Sequence, residues 1–95
     1  MTVGCIGTGM MGGALLRGIV KEVLPSDIMV YDADLEKAKL LADELNVKVA
    51  SDIIDLAKKC DYIIIAVKPA HFYSVINEIS SCLTLNKVLI SIAAG

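Results

Sequence analysis

Residues 2–20 read TVGCIGTGMMGGALLRGIV, and six of the chain's seven glycines fall within its first 18 positions. Glycine loses more backbone freedom on folding than any other residue, so a cluster marks a backbone that must bend sharply or admit something closely. The cluster lies between a short β-type run, Val3–Gly7, and a stretch from Met10 to Val23 in which Ala14, Leu15, Ile19 and Val23 recur at helical spacing. Gly7-Thr8-Gly9-Met10-Met11-Gly12 therefore spells G-x-G-x-x-G directly after a strand and at the opening of a helix. In that setting Gly7 permits the tight turn, Gly9 lets a pyrophosphate approach the backbone, and Gly12 lets helix pack closely on strand. The helix N-terminus presents free N–H groups and a partial positive charge to the phosphates. Thr8, Met10 and Met11 are expected to line the turn mainly through their backbone.

Working outward, strands and helices alternate. Pro25-Ser26-Asp27 punctuates the chain, and Ile28–Tyr31 is a second strand ending at Asp32. Asp34 can cap a helix from Leu35 to about Leu45. Val47–Ala50 is a brief third strand, and Ser51 is the expected cap of a short helix reaching about Lys59. Tyr62–Val67 is an apolar fourth strand that Pro69 breaks, followed by a helix from about His71 to Cys82 with Val75, Ile79 and Cys82 inward. Val88–Ile92 is the fifth strand. Five strands alternating with helices, with short connections and no hairpin signature, predict a Rossmann-type, doubly wound parallel α/β sheet. Right-handed crossovers give the order 3-2-1-4-5, with the switch point between strands one and four. The whole of residues 1–95 reads as one dinucleotide-binding domain that stops just after its fifth strand, where an α/β fold would normally continue.

Asp32 stands 20 positions after Gly12, at the end of the second strand. A carboxylate there accepts hydrogen bonds from adenosine ribose hydroxyls and favours NADH. It repels the 2′-phosphate of NADPH by between about 1 kcal/mol in water-like surroundings and about 4 kcal/mol at an intermediate dielectric. Lys37 is near enough in sequence to offset part of this. The expected cofactor is NAD(P)H, leaning to NADH. The competing role for Asp32, capping the next helix, is better filled by Asp34.

Composition excludes several classes. A net charge of −2, no basic run and only one Phe and three Tyr argue against a nucleic-acid surface. The chain is 56% hydrophobic, yet no apolar run approaches the roughly 18 residues of a membrane span. Nor does the start carry a basic n-region or cleavage pattern. Cys5, Cys60 and Cys82 are odd in number and widely spaced, which fits reduced thiols in a cytoplasmic protein rather than a disulfide framework or zinc site. The excess of apolar residues fits a sheet buried on both faces, together with surface meant for a partner. His71, the only histidine, is expected in an exposed first helical turn, and neither a catalytic residue nor a metal site is specified.

Three stretches together resemble the N-terminal nucleotide-binding domain of the pyrroline-5-carboxylate reductase family: IGTGMMGGALLRGIV, then AVKP at Ala66-Val67-Lys68-Pro69, then SIAAG at Ser91–Gly95. AVKP and SIAAG close the fourth and fifth strands, on the edge where doubly wound sheets bind ligands. Small residues there (Ala66, Ala93, Ala94 and Gly95) leave room for a nicotinamide riboside, Pro69 fixes the turn that carries the chain away, and Lys68 either contacts the cofactor or faces solvent.

The resemblance implies hydride transfer from NAD(P)H to the C=N carbon of a cyclic imino acid, 1-pyrroline-5-carboxylate, giving L-proline. It also implies a helical domain, outside these positions, that builds a homo-oligomer and completes the substrate pocket. Where relatives often have Asn after Ser-Asp, this chain has Ile53 after Ser51-Asp52. The alternatives are the cofactor domain of a β-hydroxyacid dehydrogenase, which shares G-x-G-x-M-G, and an isolated nucleotide-binding module without activity.

Overall fold

The computed structural model describes residues 1–92, so Ala93, Ala94 and Gly95 lie outside it. Its elements alternate along the chain: β1 (Val3–Ile6), α1 (Met10–Ile19), β2 (Ile28–Tyr31), α2 (Leu35–Leu45), β3 (Lys48–Val49), α3 (Ile53–Lys59), β4 (Tyr62–Ile65), α4 (Pro69–Ile79) and β5 (Val88–Ser91). The sheet order is β3-β2-β1-β4-β5, all pairs parallel, as the sequence predicts. Val3 is in register with both Ile28 and Tyr62, and Ile6 with both Tyr31 and Ile65, so β1 is the central strand.

Strand alternation sorts the core into two layers. Val3 and Cys5 of β1, with Ile28, Val30 and Ile64, pack against Leu16 of α1 and Ala38, Leu41 and Ala42 of α2. Ile6, Ile63 and Ile65 face the other way, onto Ile53, Leu56 and Ala57 of α3 and Ile79 of α4. Burial on both faces explains the near-continuous apolar strands. It also separates Cys5 from Cys60, which are buried in opposite layers as free thiols. Desolvation pushes Cys5 up to about 12 and Cys60 up to about 11, which suits inert core residues.

Five local expectations are corrected. The apolar stripe places Ala14 and Leu15 inward, but both are exposed, and α1 turns Gly12, Gly13 and Leu16 to the sheet. Periodicity counts only side chains, and here the closest approach is made by residues without one. The cap of α3 is Asp52, which accepts from the Asp55 amide at 2.7 Å, while Ser51 donates its own amide to the Asp55 carboxylate. Asp55 reaching back in this way makes the start of α3 reciprocal, much as in a capping box. Helix α4 begins at Pro69, not at His71, because the first helical position needs no N–H. It also ends at Ile79, with residues Ser80–Cys82 forming a separate 3₁₀ turn. The strands β1, β3, β4 and β5 are each shorter than the apolar runs that announce them.

Asn46 terminates α2 at φ 58°, a left-handed cap that asparagine tolerates better than most residues. Lys87 caps α3 from outside, donating to the carbonyls of Lys58 and Cys60 at 3.1 and 2.7 Å. β5 is an edge strand with Val88, Leu89 and Ile90 about two-fifths exposed. Beside it, Leu15, Ile19, Val23, Tyr62, Ile64 and Ile90 contribute to an open groove of ≈ 390 Å³.

Candidate nucleotide-binding site

The chain leaves β1 into α1 on one face of the sheet and leaves β4 for α4 on the other. This opens a crevice at the carboxyl edge between them, where doubly wound folds place ligands. Each wall has a physical reason. Gly7 adopts φ +97°, and a Cβ there would lie 2.5 Å from the Ala66 carbonyl oxygen. A Cβ at Gly12 would come 2.5 Å from the Gly7 carbonyl oxygen and 3.2 Å from Ala66 Cβ. The turn, the helix and the end of β4 therefore close on one another only without those side chains. Ala66 is 6% exposed and tied to β1 by its amide, which donates to Ile6 O at 2.8 Å.

Gly9 is different. Nothing lies within 4 Å of a Cβ built on it, and its φ of −72° is open to any residue. Nothing in the protein's own packing asks for glycine here, and the position faces the open side of the turn. The first ladder bond of α1 runs from the Gly13 amide to Gly9 O at 2.8 Å, so the amides of Met10, Met11 and Gly12 precede the ladder. Met10 is 91% exposed, no acidic residue sits in the first turn, and no side chain caps Gly9. These donors, the positive end of the helix and a bare Gly9 cradle suit a pyrophosphate.

Asp32 follows β2 and turns back over the glycine turn. Its Oδ2 accepts from the Thr8 amide at 2.8 Å and from the Thr8 hydroxyl at 2.9 Å, and its Oδ1 accepts from the Asp34 amide at 2.8 Å. Asp34 in turn caps α2 by accepting from the Glu36 amide at 3.2 Å. Thr8 thus engages a side chain through both amide and hydroxyl, where the sequence suggested a mainly backbone lining. The contact spans 24 positions, and no local pattern announces it. Partial burial opposes ionisation of Asp32, but the two Thr8 donors, the Asp34 amide and the field of Lys37 outweigh it and hold the carboxyl below its ordinary range.

Of the AVKP residues, Val67 packs into the second core layer, Lys68 is the exposed N-cap of α4 and Pro69 is its first residue. His71 is exposed and donates its amide to Lys68 O at 2.8 Å, so it belongs to the helix start. Ile53, which follows Ser51-Asp52, is 6% exposed and part of the core. Ile92 continues β5 with its amide on Ile65 O at 3.1 Å; the three residues beyond it lie outside the described structure. The apolar groove by β5 is lined, among the described residues, mainly by apolar side chains and Glu22, with no Lys, Arg or His. Among the described residues no helix is long and apolar enough to cross a membrane, and no cluster of three or more His, Cys, Asp or Glu could hold a metal.

A parallel 3-2-1-4-5 sheet with a glycine turn, a bare helix start and an acidic residue after β2 defines a Rossmann-type nucleotide-binding domain. Residues 2–95 match the family described as NADP oxidoreductase, coenzyme F420-dependent, and the chain belongs to that family.

The chain is also similar to pyrroline-5-carboxylate reductases. It is 38% identical over 95 residues to the Escherichia coli K12 enzyme, covering 98% of this chain and 35% of that one. The crystal structure of Plasmodium falciparum pyrroline carboxylate reductase with NADP bound is 32% identical at a TM-score of 0.83, covering 98% of this chain and 33% of that one. A Coxiella burnetii pyrroline-5-carboxylate reductase structure is 27% identical at a TM-score of 0.85, covering 99% and 36%. The chain thus spans about a third of the length of the relatives it matches.

Proposed function

We propose that residues 1–95 form the NAD(P)H-binding part of a reductase acting on the C=N bond of 1-pyrroline-5-carboxylate, giving L-proline. The bare cradle at Gly9 carries the nucleotide half of this reading, because neither backbone conformation nor packing otherwise demands glycine there. The pyrophosphate sits on Gly9 and the amides of Met10, Met11 and Gly12, with Gly7 shaping the turn and Thr8 holding its side. Asp32 faces the adenosine ribose and gives a preference for NADH. Ala66, Val67, Lys68 and Pro69 border the nicotinamide end; the expectation for Ala93, Ala94 and Gly95 concerns residues outside the described structure. When bound, the cofactor supplies the hydride; this chain's residues bind it, orient it and leave its reactive face toward the substrate side.

The similarity to reductases of that name supports the substrate over the 3-hydroxyacid chemistry of the β-hydroxyacid dehydrogenases. Reduced Cys5, Cys60 and Cys82 support a cytoplasmic setting, and the exposed Val88, Leu89 and Ile90 support self-association. Calorimetric titration of the chain with NADH and NADPH in parallel tests the nucleotide reading. Binding of either, tighter for NADH, is expected; binding of neither overturns it. Reduction of the cyclic imine by the protein carrying this chain tests the substrate, and turnover of 3-hydroxyacids alone would replace it.

A further inference from the structure

The Asp32 carboxylate has about four acceptor positions when ionised. Thr8 fills both on Oδ2 and the Asp34 amide fills one on Oδ1, leaving a single position on Oδ1 for a ligand. We propose that Thr8 is a specificity-determining residue: its hydroxyl locks the Asp32 carboxylate in the orientation that accepts one ribose hydroxyl and cannot swing away from a 2′-phosphate. The proposal rests on the NAD(P)H reading above.

The reasoning is geometric. A dinucleotide bearing a 2′-phosphate requires the carboxylate to rotate or withdraw, since two anionic groups at contact distance repel. Rotation about the Asp32 side chain breaks the bonds at 2.8, 2.9 and 2.8 Å together, and bonds to an ionised acceptor are the strong ones. The Thr8 amide is fixed by the turn, and the Asp34 amide by the start of α2, so the hydroxyl is the one donor that a substitution can remove without moving backbone. One other titratable group acts on the carboxylate, Lys37 of α2, which favours its charge; Cys5 of β1 feels that charge from within the core and stays a neutral thiol.

The test compares wild type with Thr8→Val, which keeps the shape and removes the hydroxyl, and with Thr8→Ser, which keeps the hydroxyl. In cofactor-free protein, the Asp32 carboxyl carbon is followed by NMR through acid titration. Thr8→Val is expected to titrate at higher pH than wild type, and Thr8→Ser close to it. Kd values for NADH and NADPH are then measured on all three. The preference for NADH is expected to fall roughly tenfold in Thr8→Val, the scale of one hydrogen bond to a charged group, and to return in Thr8→Ser. An unmoved Asp32 titration overturns the lock; a moved titration with an unchanged preference overturns its role in selectivity. If wild type shows the titration but binds neither dinucleotide, the NAD(P)H reading has failed and the selectivity role falls with it.

Discussion

Gly12 lies against the Gly7 carbonyl so closely that a Cβ would stand 2.5 Å from its oxygen, whereas a Cβ on Gly9, three residues earlier, would meet nothing within 4 Å. The glycines of one motif therefore answer to different masters. Gly12→Ala is expected to force α1 off β1 and to cost about 1–3 kcal/mol, the scale of overpacking a core. Gly9→Ala is expected to leave the thermal midpoint unchanged within error and to weaken NADH binding at least tenfold by filling the phosphate cradle, at ~1.4 kcal/mol per factor of ten. Melting curves and calorimetry on the two variants separate the roles; a Gly9→Ala protein that binds as wild type would remove the cradle.

Leu16 is fully buried where α1 meets the sheet, beside the two glycines that bring the helix down. Truncation to alanine opens a cavity between elements that cannot collapse further. The expected loss is about 2–5 kcal/mol in chemical denaturation, with the larger effect expected here because a domain of this size has little core to spare. Leu15→Ala, at an exposed position of the same helix, is expected to cost far less.

Asp32 is held below the ordinary carboxyl range, so its folded pKa lies below its unfolded one. The stability it contributes is fully present above the unfolded value, about 3.9, and is lost as the pH falls through the folded value. Asp32→Asn removes that component. The stability gap between wild type and Asp32→Asn is therefore expected to be widest at neutral pH and to narrow on acidification; denaturant midpoints at neutral and acidic pH check it. A gap independent of pH would mean the carboxylate charge contributes nothing.

Asp52 caps α3 at the far side of the sheet from the glycine turn's helix. Asp52→Ala is expected to cost ~1 kcal/mol of stability through the lost bond to the Asp55 amide, with cofactor affinity unaltered. This variant is the control for losses of binding that arise only from a weakened fold.

Arg17 and Glu44 form a two-pronged pair at 2.6 and 2.9 Å that ties α1 to α2, but both side chains are about half exposed. Solvent and salt screen such a pair. Glu44→Gln is expected to change stability little, and that small difference is expected to vanish in high salt.

Much of this protein was legible in its order of residues. The alternation of apolar strands with capped helices sets the strand order, because parallel neighbours must be joined by right-handed crossovers. The glycine turn is legible because local backbone geometry demands particular residues at particular offsets, and Asp32 because it ends a strand at a set distance beyond. Asp34 and Pro69 act within one turn of themselves, so their roles are also local, although the sequence placed Pro69 before the helix it opens.

What only the tertiary structure decides is what touches across the sheet. The inner face of α1 is set by two glycines, invisible to any count of apolar side chains. The contact between Thr8 and Asp32 bridges two loops 24 positions apart. Periodicity reports which face of an element is apolar; it carries no information about which distant polar group will complete a carboxylate. That is decided by the β1–β2 register, which brings Ile6 beside Tyr31 and so delivers the next two residues of one chain segment to the first residue after the other.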